Sequence, residues 1–166
     1  KSMAETLLFI QKHDFADFDA LADYADAASA RTKELTAKIK AAESRMAEIA
    51  VLKAHIINYA KTRDVYTAYH KAGYSRKYYD AHESDIIIHK AAKKAFDELA
   101  LKKLPTVKSP QAEYSDLLVQ KKLDYAELSK ARDEAKQLQI YRANAEMLLR
   151  TDAEEQRQTR EHQQEK

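Results

Sequence analysis

"LTAKIKAAESRMAEIAVLKAHI", residues 35 to 56, places Leu35, Ile39, Ala42, Met46, Ile49, Leu52 and Ile56 at spacings of three and four. That period puts all seven side chains on one stripe of an α-helix and on no single face of a strand. Toward the N-terminus nothing breaks the pattern back to Asp17, whose carboxylate suits the cap position of a helix, with Asp19 adding negative charge to the first turn. Toward the C-terminus it runs to Gly73, the chain's only glycine. Glycine takes the left-handed conformation that ends a helix without a Cβ penalty, so Gly73 reads as punctuation and not as a phosphate loop. The predicted helix, residues 17 to 72, would span on the order of 80 Å if unbroken.

A stripe needs a partner, and a second one follows. Ser109 and Pro110 form a helix-start signal, a capping hydroxyl followed by proline at the first helical position. Beyond them Tyr114, Leu117, Leu118, Tyr125, Leu128, Ala131, Ala135, Leu138, Ala145 and Leu148 recur along a predicted helix over residues 109 to 150. The expected fold is all-α: an elongated antiparallel coiled-coil helical hairpin, with residues 73 to 108 as a small helical cap inserted between the two long helices. Within that cap Ser75 would start a short helix over "RKYYDAH". Ser84 would start another over "SDIIIHKAAKKAFDELAL", ending before Leu104 and Pro105, with Ile86, Ile87, Ile88, Ala91, Ala92, Ala95, Phe96 and Leu99 on a wide apolar face. Leu7, Leu8 and Ile10 predict a short first helix within residues 1 to 16, and residues 151 to 166 carry no apolar stripe and are expected to be disordered. Stripes of this kind serve pairing within one chain or between two, so a homo-oligomer stays open.

The 166 residues include one Gly, two Pro and no Cys, with 29 Lys and Arg against 27 Asp and Glu. A net charge of +2 argues against a histone-like polycation but hides an asymmetry. Residues 1 to 30 hold two basic against six acidic groups, and residues 31 to 108 hold seventeen against nine. The absence of cysteine excludes disulfides and thiol nucleophiles and fits a reducing compartment, so a cytoplasmic location is expected. No apolar run approaches the roughly 20 residues needed to cross a bilayer, and no membrane insertion is expected. "KSMAETLLFIQKHDF" at the start lacks the features of a signal peptide, and its first residue is not Met, as in a fragment of a longer protein.

Chemistry concentrates in the middle. Tyr59, Tyr66, Tyr69, Tyr74, Tyr78 and Tyr79 are interleaved with Lys61, Arg63, His70, Lys71, Arg76 and Lys77. Aromatic faces for bases and cations for phosphates are what single-stranded nucleic acid requires; packing at a helix junction is the other reading of the same rings. "HKAAKKAFDELALKK" adds Lys90, Lys93, Lys94, Lys102 and Lys103, the first three forming one helical stripe that suits either phosphates or plain solvation. His70, His82 and His89, with Glu83 and Asp85, match no metal-ligand spacing and are expected at the surface or at a junction, with no cofactor. Nothing predicts the preorganised pocket that a tyrosine nucleophile would need. The residues expected at DNA are Lys71, Arg76, Lys77, Lys90, Lys93 and Lys94 for phosphates, and Tyr74, Tyr78 and Tyr79 for unpaired bases.

Residues 59 to 118, "YAKTRDVYTAYHKAGYSRKYYDAHESDIIIHKAAKKAFDELALKKLPTVKSPQAEYSDLL", resemble a segment downstream of the nuclease domain in relaxases, the MobP-like mobilisation proteins of Gram-positive integrative and conjugative elements. The similarity extends from Tyr24 to Leu149, and "HKAAKKAFDEL" with "KKLPTVKS" is its most specific part. In that family a separate amino-terminal domain nicks DNA through a tyrosine and a histidine-held metal. None of those motifs is matched here, so no catalytic residue is carried over. The resemblance implies a non-catalytic accessory domain of a conjugative relaxase, contributing DNA binding or docking to other proteins of the transfer complex. A protein-interaction or self-association arm without nucleic-acid contact is the alternative.

Overall fold

The computed structural model describes residues 2–101 and 103–164. The fold is an all-α helical hairpin of four helices, α1 (Ser2–His13), α2 (Phe18–Lys71), α3 (Arg76–Glu98) and α4 (Lys108–Gln164), with no strand among the described residues. α2 and α4 are the long arms. The chain divides into two compact units, one formed by Lys1–Ile39 with Leu123–Lys166 and the other by Lys40–Lys122.

In the first unit Leu35, Ile39 and Leu128 form a buried cluster with Ala131 packed against it. Leu21, Ala25, Ala135, Leu138 and Ala145 are also buried. Each large aliphatic side chain withdrawn from water in this way contributes about 1.5–3 kcal/mol. The antiparallel register shows in cross-helix ion pairs: Arg142 to Asp26 at 2.8 Å, Arg31 to Glu127 at 3.1 Å and Lys38 to Asp124 at 2.9 Å. α1 docks through Thr6, whose Oγ1 accepts from Asn144 Nδ2 at 2.9 Å, and through Phe9, stacked on Tyr141 at 4.5 Å. Between α1 and α2 Asp14 takes a left-handed φ of 49°, and Asp17 Oδ1 accepts from the Ala20 N–H at 2.9 Å, the cap its position predicts.

In the second unit α2 ends as expected. The Gly73 N–H donates to the His70 carbonyl and the Tyr74 N–H to the Tyr69 carbonyl, both at 3.0 Å, with Gly73 at φ 64°. This Schellman arrangement satisfies carbonyls the helix end would leave open. The Ser75 hydroxyl accepts from the Tyr78 N–H and starts α3, which packs lengthwise along α2 through Ile86, His89, Ala92 and Phe96. The start of α4 is tied to α2 by Arg45, whose Nε and Nη2 grip both carboxylate oxygens of Glu113 at 2.7 and 3.1 Å. That fork holds the Glu113 carboxyl below the usual carboxylate range. Lys121 to Glu43 at 3.0 Å and Lys53 to Gln111 continue the seam.

Within α3 two helical stretches meet at a kink, where His82 leaves helical geometry (φ −132°, ψ 25°), in line with the expected division between "RKYYDAH" and the helix from Ser84. Other expectations need correction. α4 begins at Lys108, with the Gln111 N–H donating to the Val107 carbonyl, so Pro110 sits inside the first turn, where a missing N–H is harmless. The segment expected to be disordered continues α4 through Gln164 with exposed side chains, because Ala, Glu, Gln and Arg favour helix and nothing there breaks it. The buried stripe of α4 runs through Lys121, half-buried, and Asp124, buried, while the neighbouring Leu118 and Tyr125 are exposed. Strict three-and-four spacing from Leu117 to Leu128 demands positions 121 and 124, and ion pairing to α2 lets polar residues occupy them. Ile87, Ala91 and Leu99 lie outside the buried face of α3.

Candidate nucleic-acid interface

Where α3 lies along α2, Tyr59, Thr62 and Tyr66 fall on one helical face at spacings of three and four. His89 of α3 enters between the two tyrosines, with ring centroids 4.4 Å from each and interplanar angles of 27° and 14°. Phe96 leans on Tyr59 at 5.5 Å. His89 is only 5% exposed, so of the two placements expected for it, surface or junction, it takes the junction, between α2 and α3. It occupies the stripe position between Ile86 and Phe96, which sequence alone assigns to no partner.

The Thr62 hydroxyl organises this histidine. Thr62 Oγ1 donates to the Asn58 carbonyl of its own helix at 2.7 Å and lies 3.0 Å from His89 Nδ1. A hydroxyl has one hydrogen; given to the Asn58 carbonyl, the shorter of the two contacts, it leaves the oxygen to accept from the imidazole, the pairing in which Nδ1 carries the proton. Burial pushes the His89 pKa below its ordinary value and favours the neutral ring.

Above this aromatic floor opens a cleft of about 380 Å³ lined by Tyr59, Arg63, Tyr66, Thr67, His89, Lys90, Lys93, Lys94 and Asp97. Lys93 is committed to Asp97 at 2.6 Å, a hydrogen bond that raises its pKa. Lys94 lies 3.9 Å from Glu98. Arg63 and Lys90 form no ion pair among the described residues, so both stay available to an anion.

The remaining expected residues gather around Tyr69 at the α2–α3 turn. Tyr74 meets Tyr69 edge-on at 5.2 Å, and Tyr78 and Tyr79 approach it at 6.2 and 6.1 Å. Tyr78 also rests on His82 at 4.3 Å, and the Arg76 guanidinium covers Tyr79 at 5.7 Å while pairing with Asp80 at 2.9 Å. Tyr74 is the most open of the three, at 53% exposure, with His70 against it at 5.3 Å. Lys71 and Lys77 are exposed nearby. The Lys90 ammonium sits 5.9 Å above the Tyr69 ring and so adjoins both clusters.

Thus Lys90, Lys93 and Lys94 come together with Arg63, Tyr59 and Tyr66, whereas Arg76, Tyr74, Tyr78 and Tyr79 form a separate group at the turn. Thr62 was not singled out from sequence, although its place between two tyrosines on one face was visible. Lys102 lies outside the described residues. Among the described residues no group of three or more His, Cys, Asp or Glu is placed to hold a metal ion, and no helix is long and apolar enough to cross a membrane. No protein-family model, curated protein or solved structure matches this chain.

Proposed function

We propose that this chain is a non-catalytic accessory helical domain of a relaxase-type DNA-processing protein, and that the unit Lys40–Lys122 contributes DNA contact. The observation that carries the proposal is the cleft on α2 and α3, where four cations surround a floor of two tyrosines and a histidine. Clustered cations suit phosphates, and the flanking tyrosines, Tyr74 above all, offer faces to unpaired bases. The unit as a whole carries 16 Lys and Arg against 10 Asp and Glu, which favours approach of a polyanion. The resemblance of residues 59 to 118 to the segment that follows the relaxase nuclease domain points the same way.

The test is fluorescence anisotropy of labelled single-stranded and duplex DNA over a salt series, with Lys90→Gln and the combined Arg63→Gln, Lys90→Gln, Lys94→Gln variant beside the parent chain. Loss of one phosphate contact should flatten the slope of log affinity against log salt by about 0.7–0.9. The combined variant should bind several-fold more weakly at every salt concentration. Absence of binding at low salt would overturn the proposal. It would favour the interaction-arm reading, which rests on a second cleft of about 510 Å³ lined by Val51, Leu52, His55, Ala95 and Leu99, among others, with Val51 and Leu99 exposed.

A further inference from the structure

His89 is the one titratable ring in the cleft wall whose two nitrogens have unlike surroundings. With the Thr62 hydroxyl hydrogen assigned to the Asn58 carbonyl, the ring hydrogen sits on Nδ1 and Thr62 accepts it. In the neutral ring Nε2 is therefore a bare acceptor. It has no hydrogen-bond partner among the described residues, yet it is not a sealed, unsatisfied atom, and the residue lines the cleft. The polar edge that His89 presents to the cavity is thus Nε2.

Groups facing this ring come from two helices: Tyr59, Arg63 and Tyr66 from α2, and Lys90, Lys93, Lys94 and Asp97 from α3. With a neutral ring the cleft holds an acceptor lone pair amid a surplus of cations, a mismatch for an anion arriving at that edge. With a protonated ring it presents the Nε2 N–H beside the guanidinium and ammonium groups, and its one anionic group, Asp97, is already engaged by Lys93. A proton and an anion therefore favour one another here. Without an anion, charging the ring places a fifth positive group in a desolvated stack.

We infer that the cleft between α2 and α3 is a phosphate-binding subsite gated by protonation of His89 at Nε2, so that a nucleic-acid phosphodiester and a proton are taken up together. This rests on the DNA-contact reading above and adds the ligand group, the atom that meets it and its pH dependence. Linkage requires reciprocity: acidification tightens phosphodiester binding, and bound phosphodiester raises the pKa of His89 by the equivalent amount. His55, His70 and His82 do not line this cleft. Their titration supplies a background that variants at those positions measure.

An oligothymidylate is the suitable probe, since neither its phosphodiesters nor its bases titrate between about pH 5 and 8, the range in which histidine does. Its binding, followed with a pH-insensitive label at constant ionic strength, should tighten on the order of fivefold or more from about pH 7.5 to 5.5, within the usual span of linked sites. His89→Gln should lose most of that gain, and His70→Gln should keep it. In the unaltered chain, histidine resonances recorded with and without oligothymidylate should show the His89 pKa rising on binding, a readout independent of how any variant folds. Binding that occurs with an unmoved His89 titration would overturn the inference and leave the DNA-contact reading standing. No binding at any pH would overturn both.

Discussion

Each of the two units buries a threonine that does the same local work. Thr6 donates to the Ser2 carbonyl at 2.8 Å and accepts from Asn144 at 2.9 Å; Thr62 donates to the Asn58 carbonyl at 2.7 Å and shares a hydrogen bond with His89 Nδ1 at 3.0 Å. In both, a hydroxyl bonded back along its own helix fixes the polar edge of a residue on another helix. The difference lies beyond that edge. Asn144 also donates to Ser2 Oγ at 2.9 Å, so the first unit uses an uncharged amide within local contacts. His89 is titratable, and it lines a cleft together with Lys and Arg side chains. Composition follows the same division. The first unit carries 13 basic against 17 acidic groups and three tyrosines, whereas the second carries 16 against 10 and seven tyrosines. A buried polar group whose partners are all local holds structure; one with a free valence toward a charged cavity can couple structure to a ligand.

The comparison is broken most directly by damaging each core. Leu35→Ala in the first unit and Ile86→Ala in the second each remove a nearly fully buried side chain and should cost about 2–4 kcal/mol in urea unfolding. Their effects on DNA affinity should diverge where both variants remain helical. Ile86 lies one turn before His89 on α3, so its loss disturbs the cleft, while Leu35→Ala should leave affinity within about twofold, the scatter of distant sites. Equal loss of affinity in both would end the division of labour.

A smaller effect separates the two threonines. Thr62→Val leaves a buried imidazole N–H without its acceptor and should cost about 1–2 kcal/mol. Thr6→Val should cost less, because Asn144 keeps its bond to Ser2 Oγ. Their pH dependence should differ as well. The folded His89 pKa lies below its unfolded value near 6.5. The unfolded chain therefore binds more protons in the interval between the two, and stability is lost as pH falls through it. Replacing His89 with Gln should remove that part of the acid sensitivity, which unfolding curves at about pH 7.5 and 5.5 would reveal. Leu35→Ala should leave it unchanged.

The long helices were legible because a buried stripe writes its 3.6-residue period directly into residues such as Leu35, Ile39, Met46 and Ile49. The register of α4 was less so. Lys121 and Asp124 hold stripe positions as ion-pair members, and a search for apolar residues selects Leu118 and Tyr125 instead. The cations of the candidate interface were visible as a helical stripe, but the role of His89 was not. It depends on a hydroxyl 27 residues away in sequence, brought to 3.0 Å only when α3 folds back on α2.

The smallest effects belong to the turns, and they contrast the units once more. The first unit places Asp14 at φ 49°, a conformation that Asp tolerates; the second places Tyr74 at 59° and Ala100 at 50° there, beside Gly73. A left-handed residue with a Cβ carries about 1–2 kcal/mol of strain, and glycine relieves it while adding about 0.5–1 kcal/mol of unfolded-state entropy. Ala100→Gly should therefore stabilise by about 0.5 kcal/mol, and Gly73→Ala should destabilise by a similar amount, since a Cβ there meets nothing within 4 Å and only the backbone term remains. Asp14→Gly should be close to neutral, because Asp enters the left-handed region more readily than Ala. A Gly73→Ala loss well above 1 kcal/mol would mean that strain at this turn propagates into Tyr74 and the ring cluster around Tyr69. In that case the turn would be part of the interface it borders, and DNA affinity would fall with stability in that variant while remaining intact in Ala100→Gly.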